Sequence, residues 1–113
     1  MILKKIVSFG YKWGEPESTP GVIVADTRTL FRNPYHNRSL RYKLGTDPEV
    51  QSEVLKTPNF KAKYDHLKTI ATVPGVHEVW IGCHGGRHRS VFLAEKLGQD
   101  LQVPVEHRDV AKE

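Results

Sequence analysis

Cysteine is nearly absent from this 113-residue chain: Cys83 stands alone, so no internal disulfide can form. A lone cysteine fits a reducing compartment. Long apolar runs are also missing. No stretch approaches the roughly 18 apolar residues that a membrane helix needs. The opening Met1–Phe9 has neither a long apolar core nor a small-residue cleavage site, so it reads as a first strand and not as a signal peptide. The expectation is a soluble, cytoplasmic protein. Two nucleotide-loop patterns are missing as well: there is no Gly-x4-Gly-Lys-Ser/Thr and no Gly-x-Gly-x-x-Gly. Nothing calls for a cofactor.

What is present is an excess of positive charge. The formal net charge is +4, which favours phosphates, nucleic acid or anionic surfaces as partners without choosing among them. Acidic residues are absent from Thr27–Lys43, which holds Arg28, Arg32, Arg38, Arg41 and Lys43 together with Asn33-Pro34-Tyr35. It reads as a long basic loop, and loops of this length within a small domain are often functional. Hydrophobic residues make up 38% of the chain, enough for one modest core in one domain spanning 1–113.

Ile- and Val-rich runs at Ile2–Phe9, Gly21–Asp26, His77–Gly82 and Val103–His107 predict four strands. Gly10–Pro20, with two glycines and two prolines, predicts a loop. Thr46-Asp47-Pro48-Glu49 has the chemistry of a helix start, running to about Lys56. Phe60, Tyr64, Leu67, Ile70 and Ala71 recur at helical spacing and predict a helix over about 59–72. A third helix is predicted over Ser90–Leu101. Alternation of this kind implies an α/β fold with a mostly parallel sheet flanked by helices. In such sheets ligands gather at the C-terminal strand ends, where Asp26-x-Arg28, the segment 83–90 and His107 would meet on one rim.

The segment Cys83-His-Gly-Gly-Arg-His-Arg-Ser90 links a predicted strand to a predicted helix, making a strand–loop–helix unit over 77–101. Amides in the first turn of a helix have no intrahelical acceptor, and the helix dipole adds positive potential there. Gly85 and Gly86 let the backbone curl around an oxyanion. Arg87 and Arg89 add charge in a geometry that grips two phosphate oxygens. Ser90 is a candidate helix cap and a donor, and His84 and His88 complete the loop. These features predict an anion cradle. A plain strand–helix turn would leave two arginines and two histidines crowded together for no reason.

Two further chemistries stay open at this point. Cys83-x5-Arg89-Ser90 matches the loop of cysteine-dependent phosphatases, in which a thiolate attacks phosphorus and the arginine holds the oxygens. That reading needs a general acid, for which Asp26, Asp47 or Asp109 is available, and it departs from the pattern in having Gly82 before the cysteine. The basic loop, with Tyr35 and Tyr42 to stack on bases, is a candidate RNA surface. A zinc site from Cys83, His84, His88 and His107 is disfavoured, because the two loop histidines lie across a Gly-Gly turn.

Ile81-Gly-Cys-His-Gly-Gly-Arg-His-Arg-Ser-Val91 resembles the Gly-Cys-x-Gly-Gly-x-His-Arg-Ser-Val motif in the C-terminal domain of RapZ-type RNase adapter proteins. Phe9-Gly-Tyr-Lys-Trp-Gly14, Asp26-Thr-Arg28, Asn33-Pro34-Tyr35, Leu40-Arg41, Leu44-Gly-Thr-Asp-Pro48 and His107-Arg-Asp109 follow in that family's order. The resemblance implies a phosphosugar-binding α/β domain, with glucosamine-6-phosphate the ligand of the best-known members. It carries the binding role onto Gly85, Gly86, His88, Arg89 and Ser90, and extends it to Asp26, Arg28, Asn33, Arg41 and His107. Full-length members join this domain to a P-loop domain. A separate P-loop nucleotide-binding protein, or a second copy of the chain, is therefore an expected partner.

Overall fold

Ile6, Val7, Ser8 and Phe9 are all buried, as a strand covered on both faces requires. They belong to β1 (Lys5–Gly10), one of the two inner strands of a four-stranded sheet in the computed structural model, which describes residues 2–112. The other strands are β2 (Val22–Asp26), β3 (Glu78–Cys83) and β4 (Val105–His107). Their order is β2-β3-β1-β4, and every pairing is parallel. The expected α/β class is what is found, with a sheet that is parallel throughout.

Three helices cover one face. α1 (Pro48–Leu55) starts as expected: Asp47 caps it by accepting the Glu49 amide at 2.9 Å, and Pro48 takes the first turn. α2 (Phe60–Ala71) buries Tyr64, Leu67 and Ala71 along one stripe. α3 (Arg89–Leu101) is buried along most of its length. Val54, Tyr64, Leu67, Phe92, Leu93 and Leu97 form one cluster with Ile6, Val79 and Ile81 of the sheet. Burying a residue such as Leu93 or Ile81 contributes about 2 kcal/mol.

Among the described residues no α-helix covers the opposite face, although parallel sheets usually carry helices on both. A thin cover of rings and guanidiniums replaces it. Phe9 packs on Trp80 with centroids 5.9 Å apart and on Tyr11 at 4.8 Å. Arg28 lies 3.8 Å over Tyr11, and Arg108 sits 5.4 Å from Phe9 and 5.8 Å from Trp80. Tyr11 belongs to a short 3₁₀ turn, Tyr11–Trp13, that opens the predicted 10–20 loop.

Register then fixes the functional rim. Gly10 lies opposite Cys83, Asp26 opposite Gly82, and Ser8 opposite His107, so all four strands end at the same edge. The long 27–47 connection runs over that edge. It has no strand and only a 3₁₀ turn at Pro34–His36, and it is pinned by the buried side chains of Phe31, Pro34 and Leu40.

Candidate anion site

The loop between β3 and α3 is held from both sides. The Lys12 amide donates to the His84 carbonyl at 3.1 Å, and the Gly45 amide to the Arg87 carbonyl at 2.7 Å. Gly86 has φ of 74°, and a Cβ there would lie 2.6 Å from the Gly10 amide nitrogen. Only glycine satisfies both conditions. At Gly82 the constraint is space: a Cβ would meet the Phe9 ring at 2.4 Å and the Tyr11 ring at 2.6 Å. The residue before the cysteine is therefore dictated by the aromatic cover.

Above this loop lies a cavity of about 730 Å³. Its walls are Cys83, His84, Gly85, Arg87, His88 and Arg89 from the loop, Asn33, Tyr35, Arg41 and Tyr42 from the long connection, and Lys12 from the turn after β1. Four permanently charged side chains converge there, and no carboxylate is among the lining residues.

Arg89 is 4% exposed. Its Nη1 donates to the Arg28 carbonyl at 2.7 Å, while its Nε has no partner. Burial lowers its pKa, yet a guanidinium remains charged at neutral pH. His88 is 6% exposed, and its Nε2 is also without a partner. Burial, aided by the charges of Arg87 and Arg89, pushes its pKa below the usual imidazole value against the opposing pull of the Lys43 and Arg41 backbone. Two nitrogens so deeply buried and unpaired cost free energy, of order 1–3 kcal/mol each, unless something else meets them.

Ser90 differs from the cap expected of it. α3 begins one residue earlier, at Arg89; His88 stands at the cap position without a side-chain hydrogen bond. The Ser90 hydroxyl instead accepts from the buried Cys83 thiol at 3.1 Å.

Of the other residues singled out in the sequence, Asn33 and Arg41 line the cavity, while Asp26, Arg28, Gly86, Ser90 and His107 do not. Asp26 forms an exposed two-bonded pair with Arg28, at 3.0 Å to Nε and 2.7 Å to Nη2. Those bonds, above all, lower the Asp26 carboxyl. Arg28 reaches the site only through its backbone carbonyl, which holds Arg89. His107 is bound to Ser8 at 2.6 Å and to Glu95 at 2.7 Å, a link between β1, β4 and α3. Along the basic connection, Arg32 pairs with Glu53 and Lys43 with Glu49, each at 2.8 Å.

Sequence reasoning did not assign Lys12, Tyr35 or Tyr42 to the anion site. Arg41 stacks on Tyr35 with its guanidinium 4.4 Å from the ring centre. What brings Lys12 in is the parallel register of β1 and β3, which a linear pattern does not display.

Among the described residues no group of three or more metal-type ligands comes together, and no helix is long and apolar enough to cross a membrane.

Comparison with known proteins is informative over nearly the whole chain. The family model described as the RapZ C-terminal domain matches residues 2–111. A nucleotide-binding protein of Pediococcus pentosaceus is 40% identical over 121 residues, covering 96% of this chain and 40% of its own. A nucleotide-binding protein of Thermus thermophilus is 37% identical over 127 residues, covering 98% of this chain and 44% of its own. One of Pseudothermotoga lettingae is 44% identical over 121 residues, covering 96% and 42%. The chain thus spans less than half the length of these relatives.

Proposed function

Because the chain belongs to the RapZ C-terminal domain family, we propose that it is a ligand-binding module of a regulatory or adapter kind, which holds a phosphorylated small metabolite of the amino-sugar phosphate class in the cavity above Cys83–Arg89. One observation carries the phosphate half of this reading. The buried Arg89 guanidinium, with an unpartnered Nε–H, sits on a cavity lined by three further permanent cations and no carboxylate. An oxyanion there gains charge-assisted hydrogen bonds. The amino-sugar half rests on the family resemblance, with Asn33 and the tyrosine hydroxyls suited to ring hydroxyls.

Catalysis through Cys83 has less support. The aspartates available as general acids are engaged away from the cavity: Asp26 with Arg28, Asp47 as the α1 cap, and Asp109 with Arg108 and Lys112. RNA binding through the basic connection is weakened in the same way, since Arg28, Arg32 and Lys43 already have carboxylate partners.

The test is calorimetric titration with glucosamine-6-phosphate, inorganic phosphate and glucosamine, on the wild type and on Arg41→Ala/Arg87→Ala. The wild type is expected to bind both phosphate-bearing probes, the sugar phosphate more tightly, and to release no phosphate. The double variant is expected to lose most of that binding while staying folded. Equal affinity in the two proteins would exclude this cavity as the site.

A further inference from the structure

A carboxylate at the far end of the chain sits directly beneath the anion loop. Asp109 is fully buried. Its Oδ2 accepts the Gly10 amide at 2.8 Å and Arg108 Nη2 at 2.8 Å, and its Oδ1 accepts Lys112 Nζ at 2.8 Å. Gly10 is the last residue of β1, and Gly86 rests on it; a Cβ on Gly86 would come 3.0 Å from the Asp109 Cβ. The segment that carries Asp109 also reaches the loop's outer end, where Arg87 Nη1 donates to the Lys112 carbonyl at 3.2 Å. Arg108 in turn ties the same segment to the Gly14 carbonyl at 2.6 Å. Burial alone would raise the Asp109 carboxyl, but Arg108, the Gly10 amide and Lys112 outweigh it and hold it at about 2.

Taking a carboxylate such as Asp109 fully out of water is expensive even with its partly exposed cations Arg108 and Lys112 beside it, and a well-packed apolar side chain often serves stability as well or better. A fully buried charge in contact with the support of the loop calls for a role beyond stability. We propose that Asp109 is a positioning residue for the anion cavity: by fixing the Gly10 amide and the 108–112 segment, it sets the height of Gly85–Arg87 and the aim of Arg87. The inference rests on the phosphate-binding reading of that cavity.

Asp109→Asn keeps the shape and removes the charge. Titration with glucosamine-6-phosphate and with inorganic phosphate, well below each protein's unfolding midpoint, is expected to show affinity lower by about tenfold or more, as loss of a charge-assisted anchor implies. Amide exchange at Gly86–His88 is expected to quicken in the unliganded variant, a change that needs no ligand to be seen. Lys112→Gln, which spares the carboxylate and its Gly10 contact, is expected to show smaller changes of the same kind and serves if Asp109→Asn does not fold. A lower midpoint with unchanged affinity and unchanged loop exchange would make Asp109 merely structural and overturn the proposal. If Asp109→Asn does not fold, unchanged affinity and exchange in Lys112→Gln would overturn it as well. Failure of the wild type to bind either probe overturns the binding reading and this one with it. Wild-type binding with an unaffected variant overturns only this one.

Discussion

The Cys83 thiol and the Ser90 hydroxyl lie 3.1 Å apart, joining the last residue of β3 to the first turn of α3 across the base of the 84–88 loop. Both are buried, although Cys83 also borders the cavity. Ser90→Ala is expected to cost about 1 kcal/mol, the net worth of one buried neutral hydrogen bond. In a domain of this size that is a midpoint lower by about 4 °C, read by thermal unfolding.

The two loop glycines are predicted to behave differently. Nothing lies within 4 Å of a Cβ built on Gly85, so Gly85→Ala is expected to change stability by less than about 0.5 kcal/mol. Gly85 lines the cavity, however, so phosphate affinity is expected to drop. Gly86→Ala faces a positive φ and the Gly10 backbone at once, and is expected to cost at least about 2 kcal/mol. Urea unfolding of both variants, with titration of the Gly85 one, separates the two effects.

His88 makes stability depend on pH. Burial lowers its folded pKa, so below about 6.5 the unfolded chain takes up a proton that the folded chain refuses. Its contribution is therefore complete above that pH and is lost as the pH falls toward the folded value. Urea unfolding from about pH 7.5 to 5 is expected to show a shallower decline in His88→Asn than in the wild type.

Arg89→Lys keeps a cation but gives up the planar fork that bonds the Arg28 carbonyl and leaves Nε free. Affinity for glucosamine-6-phosphate is expected to fall by about 10-fold or more, corresponding to roughly 1.4 kcal/mol. Titration checks this, and an unchanged dissociation constant would remove Arg89 from the site.

Much of the fold is legible in the residues because local rules and tertiary needs agree there. The Ile- and Val-rich runs of β1 and β3, and the Asp47-Pro48 start of α1, are cases of this kind. The start of α3 is not legible, because Ser90 is a good cap that tertiary contact with Cys83 diverts inward. The excess charge of 27–43 is plain in the sequence. Its neutralisation by Glu53 and Glu49 is not, because those partners come from α1, beyond the segment itself. His107 reads as a rim residue, yet its ring is turned to Ser8, set by the β1–β4 register, and to Glu95, brought in by the packing of α3. Asp109 gives no local sign of burial at all, since an aspartate is ordinarily solvated.

The strand order has a consequence for synthesis. β1 is the first strand of the domain to be made, but both of its neighbours, β3 and β4, come from the second half of these 113 residues. On the ribosome its buried residues, Ile6 to Phe9, must wait with unpaired edges until almost the whole domain has emerged. Folding is then a late event spanning nearly the entire chain, slow for its length as non-local pairing requires.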